Sequence, residues 1–228
     1  MYLRVDPLNV FNTKYQMRSY LVKTPRLVQR FFYNYSWRIK TNEKEIYLTF
    51  DDGPVPEFTP WVLETLEKYD AKATFFCVGE NIKKYPHIYQ EIKDRNHSIG
   101  NHTFNHLQGW KTPTSKYVKN TLKADSYLQD TTDKNSKKLF RPPHGRIRPN
   151  QARILRKKGY KIIMWDVLSG DFDQGLSKES CLEHTIKHIS NGSIVVFHDS
   201  VKSFKNLDYV LPKVLEHFKQ KGFRFKSL

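Results

Sequence analysis

Two carboxylates stand side by side in "YLTFDDGP", residues 47 to 54, just where an apolar strand runs out. Asp, Gly and Pro are the usual residues of a turn, and a turn accounts for one aspartate and for Gly53-Pro54. It leaves the second carboxylate without a task. Adjacent like charges repel, so a site that needs both Asp51 and Asp52 has to supply a cation. "GNHTFNH", residues 100 to 106, offers a way to do so: His102 and His106 are four apart, a spacing that on a helical turn puts both imidazoles on one face. Two histidines and one carboxylate make a divalent-metal site with open positions for water and substrate. Asp52 is the candidate third ligand.

Three further segments place polar groups after apolar runs. In "FRPPHG", residues 140 to 145, the Pro-Pro pair stiffens the backbone after Arg141. An arginine there is either a structural clamp or the partner that holds a carboxylate ionised. "MWDVLSGDF", residues 164 to 172, sets Asp166 and Asp171 beyond a strand, and "GSIVVFHD" closes another with His198. A second His-x-x-x-His pair, His184 and His188 in "CLEHTIKHIS", serves as a control. On a helical wheel Leu182, Ile186 and Ile189 form its buried stripe, and no strand-end carboxylate accompanies it. It reads as a pair of surface residues.

The elements that must position these groups follow from residue 46 onward, where short apolar runs alternate with longer amphipathic ones. Candidate strands are "IYLTF" (46 to 50), "ATFFCV" (73 to 78), "HSIG" (97 to 100), "KLF" (138 to 140), "KIIMW" (161 to 165), "SIVVF" (193 to 197) and "FRFKS" (223 to 227). Thr59-Pro60, Pro86, Thr114, Pro149, Ser177 and the stretch around Pro212 open the helices between them, and Gly159, Gly192 and Gly222 punctuate helix ends. Strand-helix alternation implies parallel strands with crossover helices. About seven such units predict an α/β fold, a distorted or incomplete (β/α) barrel. Chemistry in such barrels sits where strands end at the carboxyl face. Asp51 and Asp52 of a continuing strand would point to opposite faces; a strand end broken by Gly53-Pro54 lets both turn toward the mouth.

With 228 residues, the chain fits one domain over 41–228 behind an N-terminal extension over 1–40. Hydrophobic content of 38% argues against disorder, and two cysteines, Cys77 and Cys181, exclude a disulfide framework. The net charge of +16 from 39 basic and 23 acidic residues favours polyanions, anionic surfaces or acidic glycans. No zinc-finger spacing or aromatic RNA-reading motif accompanies it. Residues 1–40 hold eight Lys or Arg, one Asp and nine aromatics. There, Thr24-Pro25 reads as the cap and first turn of a helix carrying Leu27, Val28, Phe31 and Phe32 on one side. Such a helix either packs on the domain or touches an anionic surface. No apolar stretch reads as a membrane span or signal peptide, which points to a cytoplasmic or peripheral protein.

In motif order over residues 45 to 228, the chain resembles the polysaccharide deacetylases with the NodB-homology domain, carbohydrate esterase family four. "TFDDG", "HTFNH", "RPPHG", the "DF" after "WDVLSG", and "VFH" are similar to its five motifs. The resemblance implies that Asp51 is the catalytic base and that Asp52, His102 and His106 hold a divalent ion. Zinc is the first choice, with cobalt, nickel or iron as alternatives. It implies Arg141 as the partner of Asp51, Asp171 as the group that tunes His198, and His198 as the general acid. His144 stands where the family has Tyr, and its N–H would serve the oxyanion hole. Val196 replaces a Leu beside the acetyl pocket, Leu168 an Asp and Phe172 a Trp. The implied substrate is an acetylated glycan such as peptidoglycan or chitooligosaccharide, carrying N-acetyl or O-acetyl groups. Three competing readings are a hydrolase of small amides, an iron-dependent oxygenase built on the two-His, one-carboxylate set, and a basic glycan- or nucleic-acid-binding module on an inactive scaffold. The oxygenase has no role for Asp51, Arg141 and His198.

Overall fold

The computed structural model describes residues 20–128 and 138–228, so residues 1–19 of the N-terminal segment lie outside the described residues. Strands β1 (Glu45–Asp51), β2 (Ala73–Cys77), β3 (Ser98–Asn101), β4 (Lys138–Phe140), β5 (Tyr160–Ile162), β6 (Val167–Leu168), β7 (Ile194–His198) and β8 (Arg224–Phe225) alternate with helices. The helices are α1 (Arg26–Phe31), α2 (Phe58–Lys68), α3 (Gly79–Lys84), α4 (Pro86–Asp94), α5 (Thr114–Asp125), α6 (Pro149–Lys157), α7 (Lys178–His188) and α8 (Phe204–Gln220). Seven strands run in the order β5-β4-β3-β2-β1-β7-β6, with β8 paired to the start of β1, and every pairing between them is parallel. This is the expected incomplete barrel, curled but open between β5 and β6.

The period of two along a strand decides what faces where. On β1, Ile46, Leu48 and Phe50 join the large core with Val62, Leu63 and Leu66 of α2 and Leu207, Val210 and Leu211 of α8. The alternate residue Tyr47 joins Phe76, Ile163 and Ile194 in a small cluster on the concave side. Asp51 continues the Tyr47 side of β1, and Val196 and His198 continue the Ile194 side of β7. Register completes the placement, because Thr49 pairs with Val196 and Asp51 with His198. Burial on the convex face holds the sheet; removing one such ring, as in Phe50→Ala, should cost about 3–5 kcal/mol.

Three expectations about elements need correction. The run "KIIMW" does not stay a strand to Trp165: β5 stops at Ile162, and Val167–Leu168 form a separate short strand. Pro212 does not open a helix but lies inside α8, whose buried stripe from Leu207 to Phe218 runs straight past it. Burial along that stripe outweighs the one lost backbone bond. Thr24 does not cap α1; its hydroxyl donates to the Trp165 carbonyl at 2.9 Å, and Pro25 stands at the cap. By contrast, Ser177 does cap α7, accepting from the Ser180 N–H at 3.2 Å.

The described part of the N-terminal segment lies across the open seam. Lys23 bridges to Val167, Ser36 to Ile163 and Arg38 to Ser193, so the chain covers β5 and β6 edges that would otherwise expose unpaired backbone groups. The buried Asp166 carboxylate gathers this segment: Lys23 Nζ lies 2.7 Å away, Ser193 Oγ donates at 2.7 Å and Gln29 Nε2 at 3.2 Å. Asp166 precedes β6, with its N–H bonded to the Ile194 carbonyl at 3.0 Å, and therefore sits at the amino end of the strands.

Candidate active site

Asp51 is the last residue of β1 and is buried at 4% exposure. Arg141, fully buried just after β4, reaches across the concave side and donates from Nη1 to Asp51 Oδ1 at 2.7 Å. The same Nη1 meets Thr49 Oγ1 at 2.7 Å, and Nη2 donates to the Met164 carbonyl at 3.1 Å. The guanidinium lies over the Phe76 ring, 4.1 Å from its centroid. A buried arginine whose fork is fixed on four sides is both the clamp and the carboxylate partner that the sequence left open.

The chain then turns sharply. Asp52 takes a φ of 83°, which swings its side chain off the alternation of the strand. The next residue must be small, because a Cβ on Gly53 would run into the Asp199 carboxylate. Asp199 accepts from the Gly53 N–H at 3.1 Å and from the Thr59 hydroxyl at 2.5 Å, while its own N–H donates to the Asp51 carbonyl at 3.2 Å. Burial pushes its carboxyl up to about 8. The sequence reading missed this residue, although a carboxylate directly after His198 at a strand end was the available signal.

His102 and His106 do not lie on a helical turn. They follow β3 in a loop with positive φ at Thr103 (66°) and His106 (53°). Side chains shape that loop in place of helical bonds. Asn101 Oδ1 accepts from the Thr103 N–H at 2.8 Å, Thr103 Oγ1 from the Leu107 N–H at 3.0 Å, and Asn120 Oδ1 from the Phe104 N–H at 2.9 Å. The outcome is the one the spacing was meant to give, with ring centroids 5.1 Å apart.

Asp52, His102 and His106 each present one ligand atom, all within 4.8 Å of one another, and form the one such group of three among the described residues. His102 Nδ1 lies 2.8 Å from the Arg141 carbonyl, which fixes the tautomer and leaves Nε2 for the cluster. Burial holds its pKa down to about 4, so the ring is neutral and its Nε2 lone pair available. Burial alone would raise Asp52, but its contact with His106 Nε2 at 3.2 Å and the charge of His198 outweigh it and hold the carboxyl below its ordinary range. Two imidazoles, with His102 held neutral, and an ionised carboxylate are the donor types a divalent ion takes. The residues fit the ion.

On the other side of Asp51, His198 closes β7. Asp171, fully buried, accepts from the His198 backbone N–H at 2.7 Å and faces Nδ1 at 2.8 Å. Burial would lower the imidazole, yet the Asp171 charge and hydrogen bond, helped by Asp52 and Asp51, raise it to about 9. Asp171 follows β6, and its own carbonyl is held by Asn206 Nδ2 at 3.1 Å. Phe172 sets its ring against His198 with centroids 5.2 Å apart. His144, exposed at the rim of the site with a φ of 57°, meets His106 edge-on at 4.8 Å, and partial desolvation lowers its pKa. Val196 is buried one pair below His198, opposite Thr49 and Leu168. Asp166 alone of the strand-end aspartates stands apart, at the far end of the strands.

The polysaccharide deacetylase family matches over residues 38–163. The chain is 33% identical over 194 residues to a peptidoglycan-N-acetylglucosamine deacetylase of Bacillus cereus, covering 85% of this chain and 90% of that one. A crystal structure of a peptidoglycan N-acetylglucosamine deacetylase in complex with 4-naphthalen-1-yl-N-oxidanyl-benzamide is similar at a TM-score of 0.79 and 32% identity, over 90% of this chain and 95% of that one. The CE4-family pseudoenzyme of Bacillus anthracis is similar at a TM-score of 0.73 and 25% identity, over 84% of this chain and 66% of that one. Among the described residues no helix is long and apolar enough to cross a membrane.

Proposed function

This chain belongs to the polysaccharide deacetylase family, and on that premise we propose that it hydrolyses N-acetyl groups of an amino-sugar polymer, with Asp51 as base and His198 as acid. Peptidoglycan is the first substrate, by similarity to the Bacillus cereus relative, and a chitooligosaccharide the second, by similarity to a chitooligosaccharide deacetylase of Azorhizobium caulinodans. Membership does not decide activity, since the family has a member described as a pseudoenzyme. The observation that carries the reading is the pairing of Asp51 and His198 in register on adjacent strands, each with its own buried partner, beside the Asp52, His102 and His106 cluster.

A divalent ion on Asp52, His102 and His106, zinc before cobalt, nickel or iron, would supply a water of lowered pKa and a Lewis acid for the acetyl carbonyl. The chain does the rest. Asp51, held by Arg141, whose Nη1 also donates to Thr49, takes a proton from the attacking water as the new C–O bond forms. The N–H of His144 faces the negative charge that gathers on the carbonyl oxygen, a contribution of roughly 3 kcal/mol per donor. His198, charged below about 9, gives its proton to the sugar nitrogen as the C–N bond breaks. Acetate and a free amine leave. Asp171 keeps that proton in place until nitrogen needs it.

Acetate release tests the reading on N-acetylated peptidoglycan, acetylated chitooligosaccharides and acetylated xylan, with and without a chelator. Chelator-sensitive release from an amino-sugar polymer is expected. Release from xylan alone would move the substrate to O-acetyl esters, and no release from any member of the panel would leave the inactive-scaffold reading standing.

A further inference from the structure

Five of the seven large apolar side chains that stand exposed among the described residues fall between Leu21 and Tyr33. We propose that α1 and the turn after it form a docking face for an anionic lipid surface. Leu27 is 79% exposed, Phe31 78% and Tyr33 78%, with Phe32 beside them at 42%. The expected stripe is thus turned outward: of its four residues, Val28 alone packs against a core cluster. Single exposed apolar residues are ordinary, whereas a local run of them marks an interaction surface.

This run is held out by its surroundings. Lys23 Nζ is fixed by Asp166 Oδ2 at 2.7 Å and the His188 carbonyl at 2.8 Å, at one end of the segment. At the other end the buried Trp37 donates from Nε1 to the Phe32 carbonyl at 3.0 Å, and the Ser36 carbonyl accepts from the Met164 N–H at 2.7 Å. Phe32 stacks on Tyr35 at 5.8 Å and meets Phe31 edge-on at 5.1 Å. The rings are braced against one another, so the face keeps its shape in water.

Charge selects the occupant. Leu27 and Phe31 are four apart on α1, and so are the exposed Arg26 and Arg30 beside them. No acidic residue occurs from 20 to 40. Lys23 and Arg38 are answered by Asp166, whereas Arg26 and Arg30 have no acidic partner among the described residues. A second copy on this face would bring Arg26 and Arg30 against their own like, which an isologous contact penalises. A lipid surface suits both halves of the face: aliphatic and aromatic side chains enter the headgroup boundary while arginines meet anionic headgroups. With six residues, α1 lies on such a surface and does not span it.

Co-sedimentation of the full chain with vesicles tests this without reference to catalysis. One set of vesicles is phosphatidylcholine alone, the other phosphatidylcholine mixed with phosphatidylglycerol. The expected result is partitioning onto the mixed vesicles, weakened by salt. It should fall more than about tenfold in a Leu27→Ser, Phe31→Ser, Tyr33→Ser variant. In Arg26→Gln, Arg30→Gln it should fall on the order of thirtyfold. Thermal melts should match the wild type, because these side chains are exposed. The proposal is overturned if the wild type stays in the supernatant, if it prefers neither vesicle, or if both variants partition as it does. A wild-type dimer that the triple serine variant abolishes would assign the face to a second copy instead.

Discussion

His102 and His106 stand four residues apart in a loop, and His184 and His188 stand four apart on a helix, yet the two pairs meet different surroundings. The first pair leaves β3 at the carboxyl end of the sheet, where the turn after β1 delivers Asp52 to it. The second lies on α7, which buries Cys181 and Thr185 toward the core and keeps both histidines at the half-buried margin. Around His188, burial and the nearby Lys23 and Lys187 charges lower the imidazole pKa. Spacing gives a pair of rings; the element and what faces it decide whether they can hold an ion.

The largest effect that could break this contrast is in the ligands. A His102→Ala, His106→Ala variant should lose bound metal and roughly a thousandfold or more of kcat/KM. A His184→Ala, His188→Ala variant should keep its metal and lose less than about twofold. Elemental analysis beside acetate release reads both, and equal metal content in the two variants would erase the contrast.

Next in size is the acid. His198→Ala should lower kcat on an N-acetyl sugar by about a hundredfold or more, and much less on an aryl acetate whose phenolate leaves unprotonated. Equal losses on both would remove His198 from the acid role.

Smaller again is its tuning. His198 is raised to about 9 with Asp171 the main raising group, so its charged form prevails below that pH and activity should fall as pH rises through it. Asp171→Asn removes the stabilising charge and should move the alkaline limb to lower pH. A limb that stays in place would assign it to another group.

His97 supplies a third kind of histidine and the smallest effect. Burial lowers it to about 4, and its Nδ1 accepts from the Ala73 N–H at 3.2 Å. The unfolded chain takes up that proton near its ordinary pKa while the folded one does not, so stability should decline as pH falls from about 6.5 toward 4. His97→Gln should flatten that decline in urea melts, and an unchanged slope would place its origin elsewhere.

Much of this was readable in the chain. The seven expected strand segments all form strands, because apolar runs bounded by glycine and proline have few other solutions in an α/β chain. The short β6 escaped notice because two residues carry no period. Pro212 misled because the apolar stripe of α8 overrides a local breaker. At the site, residue types were legible and geometry was not. Nothing in "HTFNH" announces that Asn101, Thr103 and Asn120 shape its loop in place of helical bonds. Asp166 and Asp171 look alike in "WDVLSGDF", yet one precedes β6 and ties down the N-terminal segment while the other follows it and holds His198.

The adjacent aspartates carry the central claim, that one holds the ion and the other moves the proton. Metal content and kcat measured on the same preparations of Asp51→Asn and Asp52→Asn test it most directly. Asp51→Asn should retain its metal and its melting behaviour while losing about a hundredfold or more in kcat; Asp52→Asn should lose the metal. If Asp51→Asn loses metal as readily as Asp52→Asn, or keeps near wild-type turnover with its metal in place, the division of labour between the two carboxylates is wrong.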